Sequence, residues 1–183
     1  MTRSLLSIES YIKSKPFRQR LRDDLEAFRI IKEADFQACF YFHLRKFIGQ
    51  DDRWRIYREK NTPFGNIIDL VISQQAHNPN EGFKPRIAIE LKRSRNDISS
   101  KDRRSLGKSL EKLKVNKAYF FTVNYHAEKY NKAKKKAKEK YKLHEWDIRL
   151  GKKIRENPAK LEAWLQKRRR IKENRDISTR KIN

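Results

Sequence analysis

The sequence predicts an α/β domain in which helices flank a mixed β-sheet. Three apolar runs of strand length follow one another with turn-forming segments between them, which favours an antiparallel meander. A helical segment then separates the third run from a fourth, which favours a crossover to a parallel neighbour. The 183 residues fit one domain, and 10 Phe, 7 Tyr and 3 Trp are enough to build a core.

The first quarter of the chain is predicted to be helical. Residues 4–13 suit a short helix, and Pro16, with Ser14 or Lys15 before it, suits the first turn of a second. The helical pattern continues to about Ile48, with a break near Ile30. The last part of this region has an apolar stripe at spacings of three and four, formed by Phe36, Phe40, Leu44 and Phe47.

The strands are predicted from short apolar runs bounded by turn-forming residues. They cover residues 53–60, 66–73, 86–93 and 117–123, and residues 74–85 are expected to be a polar loop. A helix from Ser100 or Asp102 to Lys114 is expected before the fourth strand, and a very basic helix over 126–142 after it. The segment LHEWDIRL receives no assignment, and a last helix begins at Asn157–Pro158, with about ten frayed residues at its end.

The charge balance points to a polyanionic partner. Lys and Arg number 47 against 23 Asp and Glu, a net charge of +24. Residues 1–92 carry 17 basic and 12 acidic side chains, and residues 93–183 carry 30 and 11, so the second half holds most of the surplus. Such a surplus indicates a nucleic acid. A solvated basic surface, or an RNA-binding protein of the ribosome, is the alternative interpretation.

Several classes are excluded or disfavoured by simple counts. The single cysteine, Cys39, rules out an intrachain disulfide framework and a Cys-based zinc site, and four scattered His do not supply zinc spacing. No long apolar segment suggests a signal peptide or a membrane span. We therefore expect a cytoplasmic protein that is associated with the nucleoid through DNA.

Charged residues interrupt two strands that should otherwise be buried. Asp69 stands within IIDLVI, and Glu90 and Lys92 stand at the end of IAIELK. Glu90 and Lys92 point to the same face, about 6.6 Å apart along the strand, because strand side chains alternate. If the two strands form a hairpin, Asp69 can lie beside Glu90. Two such carboxylates repel each other unless a cation lies between them, and hard oxygen ligands suit Mg²⁺ or Mn²⁺.

This pattern resembles the PD-(D/E)XK nuclease superfamily, which has a restriction-endonuclease-like core. The match covers about residues 25–125, with Ile68 in place of the Pro that often precedes the Asp. The resemblance implies that Asp69 and Glu90 bind metal and that Lys92 assists the attacking water. The family often adds a Glu from the first helix of the core, and Glu33 is at that place. The further residues expected at the site are the backbone carbonyl of Leu91, as a metal ligand, and Gln37, as a residue lining the site.

We expect a nuclease domain over residues 1–150 and a basic helical C-terminal arm over residues 151–183, which has its own helix start at Asn157–Pro158. For Glu33 two alternatives stay open: it could be a solvated helix residue, or Asp35 could be the ligand. Basic residues after the third strand and in the last helix are expected to contact DNA. They are Arg93, Arg95, Lys101, Arg103, Arg104, Arg168, Arg169 and Arg170.

The function expected from these features is metal-dependent endonucleolytic cleavage of DNA. The sequence leaves three alternatives open: a nuclease specific for branched junctions rather than for a sequence, a DNA-binding module without activity, and an RNA-binding protein. It also leaves open the DNA sequence or structure that is recognised, whether one or two metal ions bind, and whether the protein forms a homodimer.

Overall fold

The computed structural model describes residues 3–61, 67–76, 78, 81–92, 115, 117–124 and 143–180. In these ranges helices flank a five-stranded mixed sheet, which confirms the predicted fold class. The helices are α1 (Leu5–Lys13), α2 (Lys15–Glu26), α3 (Glu33–Ile48), α4 (Lys152–Arg155) and α5 (Pro158–Arg180). The strands are β1 (Trp54–Asn61), β2 (Ile67–Gln75), β3 (Phe83–Lys92), β4 (Lys117–Asn124) and β5 (Leu143–Arg149).

The first three helices begin and end where the sequence predicts. The hydroxyl of Ser4 accepts a hydrogen bond from the amide of Ser7 and caps α1, and Ser14 caps α2 in the same way, with Pro16 in its first turn. The predicted break near Ile30 is confirmed, because α2 ends at Glu26 and α3 begins at Glu33.

The strand order is β1-β2-β3-β4-β5. Antiparallel pairing joins β1, β2 and β3, and parallel pairing joins β3, β4 and β5, which confirms both the meander and the parallel pair. The segment at 143–149, which received no assignment from the sequence, is a fifth strand. The loop predicted over 74–85 is too long, because β2 extends to Gln75 and β3 begins at Phe83. The helices expected at 100–114 and 126–142 lie outside the described residues.

The core lies between the sheet and the first three helices. Phe17, Phe40 and Phe121 pack with edge-to-face rings between α2, α3 and β4. Leu70 and Ile89, from β2 and β3, are fully buried in the same cluster. This packing fixes α3 against the strands that carry the acidic residues.

The last helix contacts the end of α2 and the segment between α2 and α3. The indole of Trp164 stacks on Phe28, with ring centroids 5.1 Å apart, and its Nε1 donates to the carbonyl of Glu26. Arg168 donates from Nη2 to the carbonyl of Ile31 at 2.9 Å. The helix continues to Arg180, so the fraying expected over its last ten residues is not observed up to that point. Among the described residues, the longest helices are too polar to cross a membrane.

Candidate active site

The sheet opens between β2 and β3 where the acidic residues lie. The antiparallel register ends at the pair Leu70 and Ile89, and Asp69 and Glu90 are the next residues on each strand. Beyond this point β2 pairs with β1 alone, and β3 pairs with β4 alone. Asp69 and Glu90 therefore face each other where the two strands separate.

Both oxygens of the Asp69 carboxylate accept hydrogen bonds. Oδ2 accepts from the backbone amide of Leu91 at 2.7 Å, and Oδ1 accepts from Nε2 of Gln37 at 2.7 Å. Asp69 is 7% exposed, and these contacts fix its orientation.

Lys92 lies between two further carboxylates. Its Nζ is 2.8 Å from Oε1 of Glu90 and 3.4 Å from Oε1 of Glu33, the first residue of α3. The packing of α3 on the sheet therefore brings Glu33 and Gln37 to the same opening as the strand residues.

The electrostatics of the opening favour a cation. Burial, and then the charge of Asp69, raise the pKa of Glu90 from 4.5 to about 7. Burial also raises the pKa of Asp69, against the hydrogen bond from Leu91 and the charge of Lys92. Burial alone would lower the pKa of Lys92, but the hydrogen bond and charge of Glu90 outweigh it and raise the pKa. Three carboxylates and one ammonium group leave a formal charge of −2.

Two oxygen atoms complete the surroundings of Asp69. Oε1 of Gln37 is buried and has no hydrogen-bond partner among the described residues, because the amide nitrogen is turned toward Asp69. The amide of Leu91 points at Asp69, and the carbonyl of the same strand residue points to the same side. In the described part of the chain, however, no three His, Cys, Asp or Glu side chains lie close enough to share one ion.

β1, the second neighbour of β2, is distorted opposite Asp69. The pairs on either side, Arg58 with Leu70 and Lys60 with Ile68, place Glu59 opposite Asp69. Glu59 has φ +48°, which is unfavourable for a residue with a side chain. The sheet is thus irregular on both sides of Asp69, as is common at functional sites.

Comparison with known proteins gives one structural likeness. No protein-family model matches the chain, and no curated protein matches it. Among solved structures, it is similar to the DNA modification-dependent restriction endonuclease AspBHI, with a TM-score of 0.38 and 16% sequence identity. The match covers 92% of this chain and 44% of that chain, so this chain spans less than half of that enzyme. Because this likeness is weak, the case for a function depends on the site's own residues.

The structure brings five predicted site residues together, namely Asp69, Glu90, Lys92, Glu33 and Gln37. Asp35 is not a rival for Glu33, because it accepts hydrogen bonds from the amides of Ile31 and Lys32 at 2.9 Å and pairs with Arg175. It caps α3 and does not face the opening.

The structure describes only three of the residues that are predicted to contact DNA, and they differ in exposure. Arg93, Arg95, Lys101, Arg103 and Arg104 lie outside the described residues. Arg169 and Arg170 are exposed, as expected. Arg168 is only 6% exposed and bonds to the carbonyl of Ile31, so the prediction that it faces outward toward DNA was wrong. It lies one turn after Trp164 on the buried side of α5, a helical spacing that could have revealed its orientation.

Proposed function

We propose that this chain is a metal-dependent endonuclease that hydrolyses DNA phosphodiester bonds, on a fold of the PD-(D/E)XK type. One observation carries the proposal: Asp69 and Glu90 face each other in the opening between β2 and β3, with the ammonium of Lys92 2.8 Å from Glu90. A buried carboxylate pair of this kind is costly unless a cation compensates it.

The oxygen atoms at the opening fit Mg²⁺ or Mn²⁺. Mg²⁺ is usually held by one or two carboxylates together with waters and substrate phosphates, so a third acidic ligand is not needed. Asp69 and Glu90 would hold the ion, and the Leu91 carbonyl and Oε1 of Gln37 are further oxygens on the same side. Such an ion supplies Lewis-acid polarisation of the phosphate and a lower pKa for its bound water.

The chain's own residues have separate roles. The Leu91 amide and Gln37 orient the Asp69 carboxylate, so that it does not have to reorganise during the reaction. Lys92 keeps a positive charge beside the opening, where it can stabilise the charge that develops on a phosphate oxygen. Glu33 also contacts the Lys92 ammonium, and so helps to position it.

DNA is the proposed substrate because of the charge of the whole chain. A net charge of +24 is unfavourable for a compact protein on its own, and a polyanion compensates it. A phosphodiester is also the bond that a carboxylate pair with a neighbouring lysine is suited to hydrolyse.

Cleavage assays test this proposal. Linear duplex, branched and single-stranded DNA are incubated with the protein in Mg²⁺, in Ca²⁺ and in a chelator. We expect cleavage with Mg²⁺ or Mn²⁺, and binding with little cleavage in Ca²⁺. The branched substrate distinguishes a junction-resolving nuclease from one that cuts linear DNA.

The matched control is Glu81→Gln, which removes a carboxylate that pairs with Lys84 on the surface. Asp69→Asn should abolish cleavage without weakening DNA binding, and the control should cut like the unmodified protein. DNA bound but not cleaved under any metal condition would favour the inactive binding module instead.

A further inference from the structure

A cationic cavity lies between α2 and β5. Its volume is about 300 Å³, and it is lined by Lys15, Arg18, Gln19, Arg22 and Ile148. The four α2 residues follow the i, i+3, i+4, i+7 spacing of one helix face, with the buried Ile148 of β5 beside them. The cavity therefore combines three positive side chains with an amide at one edge of the sheet.

Two of these side chains are held in place. Arg22 donates from Nε to the carbonyl of Arg149 at 3.1 Å and from Nη1 to Oε1 of Gln19 at 2.9 Å. Arg18 reaches the carbonyl of Ser14 at 3.4 Å. The nearest acidic residue on this part of the helix, Asp23, accepts a hydrogen bond from Gln19 and does not line the cavity. The guanidinium groups are thus oriented before any ligand arrives.

The order of charged residues along α2 is unfavourable for the helix itself. Lys15, Arg18 and Arg22 occupy its first two turns, whereas Asp24 and Glu26 stand at its end. This order is opposite to the one that the helix dipole favours. The N-terminus of α2 is already capped by the Ser14 hydroxyl, so the basic side chains are not explained by a need to cap the helix.

The cavity and the carboxylates both lie near the carboxyl ends of parallel strands, but Ile148 and Lys92 point to opposite faces of the sheet because strand side chains alternate. β3, β4 and β5 are parallel, and Lys92 aligns with Thr122, which aligns with Asp147, the residue before Ile148. Two strand spacings separate β3 from β5, about 10 Å.

We propose that this cavity binds the phosphate backbone of a nucleic-acid strand, and this binding does not rest on the proposed nuclease function. Lys15 and Arg18 supply charge to the phosphate oxygens, and the Arg22 guanidinium, fixed by Arg149, supplies directed N–H groups.

Binding of a short fluorescent DNA duplex, measured in a chelator at a series of salt concentrations, tests the proposal without requiring cleavage. Each lost phosphate contact lowers the slope of log affinity against log salt by about 0.9. Lys15→Gln should lower the slope by about one unit, and Lys15→Gln combined with Arg18→Gln by about two. The matched control is Arg20→Gln, which removes the same charge from an exposed position of α2 outside the cavity lining.

Thermal melting checks that each variant is folded, and Lys15→Gln serves alone if the double variant is not. The proposal that the cavity binds phosphate is wrong if Lys15→Gln leaves the slope unchanged, or if Arg20→Gln lowers the slope equally. If the protein cuts DNA normally while Lys15→Gln leaves the slope unchanged, the proposed phosphate-binding role of the cavity is wrong and the proposed nuclease function is supported. If Lys15→Gln lowers the slope but the unmodified protein never cuts DNA, the proposed nuclease function is wrong and phosphate binding at the cavity is supported.

Discussion

Two groups of buried charged residues lie on either side of α3, and they are balanced differently. In the first, the Asp24 cluster, the carboxylate of Asp24 contacts Nε2 of His43 at 2.6 Å and Nε of Arg29 at 2.5 Å. Cys39, one turn before His43, bonds to the same carboxylate. One carboxylate thus has a cation, an imidazole and a thiol around it, so its charge is compensated within the fold.

The second group, the Asp69 site, consists of Asp69, Glu90, Glu33, Lys92 and Gln37. It has three carboxylates for one ammonium group, and burial and the charge of Asp69 raise the pKa of Glu90 to about 7. Each group contains one buried atom without a partner among the described residues, Nδ1 of His43 and Oε1 of Gln37, so unpaired atoms do not distinguish them. Charge balance distinguishes them: the carboxylate of the Asp24 cluster is compensated by its neighbours, whereas the Asp69 site has more carboxylates than cationic groups, which is why we propose a metal ion there.

The largest expected effect concerns the stability of the Asp24 cluster. Asp24→Ala should lower the free energy of unfolding by about 3 kcal/mol, because it leaves the buried His43 without its hydrogen-bonded carboxylate. Chemical denaturation measures the change. Asp23→Ala is the control, because Asp23 is an exposed neighbour bonded only to Gln19 among the described contacts. Equal losses for the two variants would mean that the Asp24 cluster does not stabilise the fold.

The next effect concerns catalysis at the Asp69 site. Asp69→Ala, Glu90→Ala and Lys92→Ala should each slow DNA cleavage by about 10²-fold or more, as for the loss of a charge-stabilising group. Single-turnover cleavage in Mg²⁺ measures this, and circular dichroism checks the fold. Asp24→Asn, assayed at a temperature where it is folded, should cleave nearly normally. A similar loss of cleavage in that variant would remove the distinction between the two groups.

The sequence revealed the Asp69 site because a charge in an apolar strand is conspicuous. Asp69 within IIDLVI and Glu90 within IAIELK needed only strand alternation to be placed on facing strands. The Asp24 cluster could not be found in this way, because Asp24 lies in a helix rich in charges, and its partners depend on how α2 packs against α3. The bond between Gln37 and Asp69 is also a tertiary contact, which the sequence anticipated only as a lining residue.

Two further features escaped prediction for physical reasons. LHEWDIR alternates too little and contains too few β-branched residues to indicate β5, which is a strand because β4 offers it a free edge. Arg168 belongs to an RRR run that is typical of a solvated surface, but a carbonyl at Ile31 accepts its guanidinium. In both cases a contact with a neighbouring element determines the conformation, and the local sequence does not reveal that contact.

A smaller effect concerns stability without metal. The raised pKa of Glu90 means that folding is not penalised by this group below pH 4.5, and that the penalty grows as pH rises to about 7 and is constant above it. Glu90→Gln should therefore stabilise the metal-free protein at pH 8 by about 1 kcal/mol, since the loss of the Lys92 contact offsets part of the gain. Urea denaturation in a chelator at several pH values measures this.

The same denaturation measurement with added Mg²⁺ distinguishes the two variants further. Mg²⁺ should stabilise the unmodified protein and have less effect on Glu90→Gln, because a ligand that binds only the folded state raises its stability. A variant that is less stable than the unmodified protein at pH 8, with an equal response to Mg²⁺, would show that Lys92 already compensates Glu90 fully.

The smallest effect concerns the third partner of Asp24. Burial, and then the charge and hydrogen bond of Asp24, raise the pKa of the Cys39 thiol to about 12. The thiol therefore stays protonated at neutral pH and acts as a weak donor, so Cys39→Ala should cost less than about 1 kcal/mol while His43 and Arg29 remain. Denaturation measures the cost, and thiol labelling at pH 8 provides an independent check. Cys39 should react about 10³-fold more slowly than an unperturbed cysteine, in proportion to its thiolate fraction. Rapid labelling of the folded protein would mean that Asp24 does not hold the thiol, and that His43 and Arg29 alone complete the cluster.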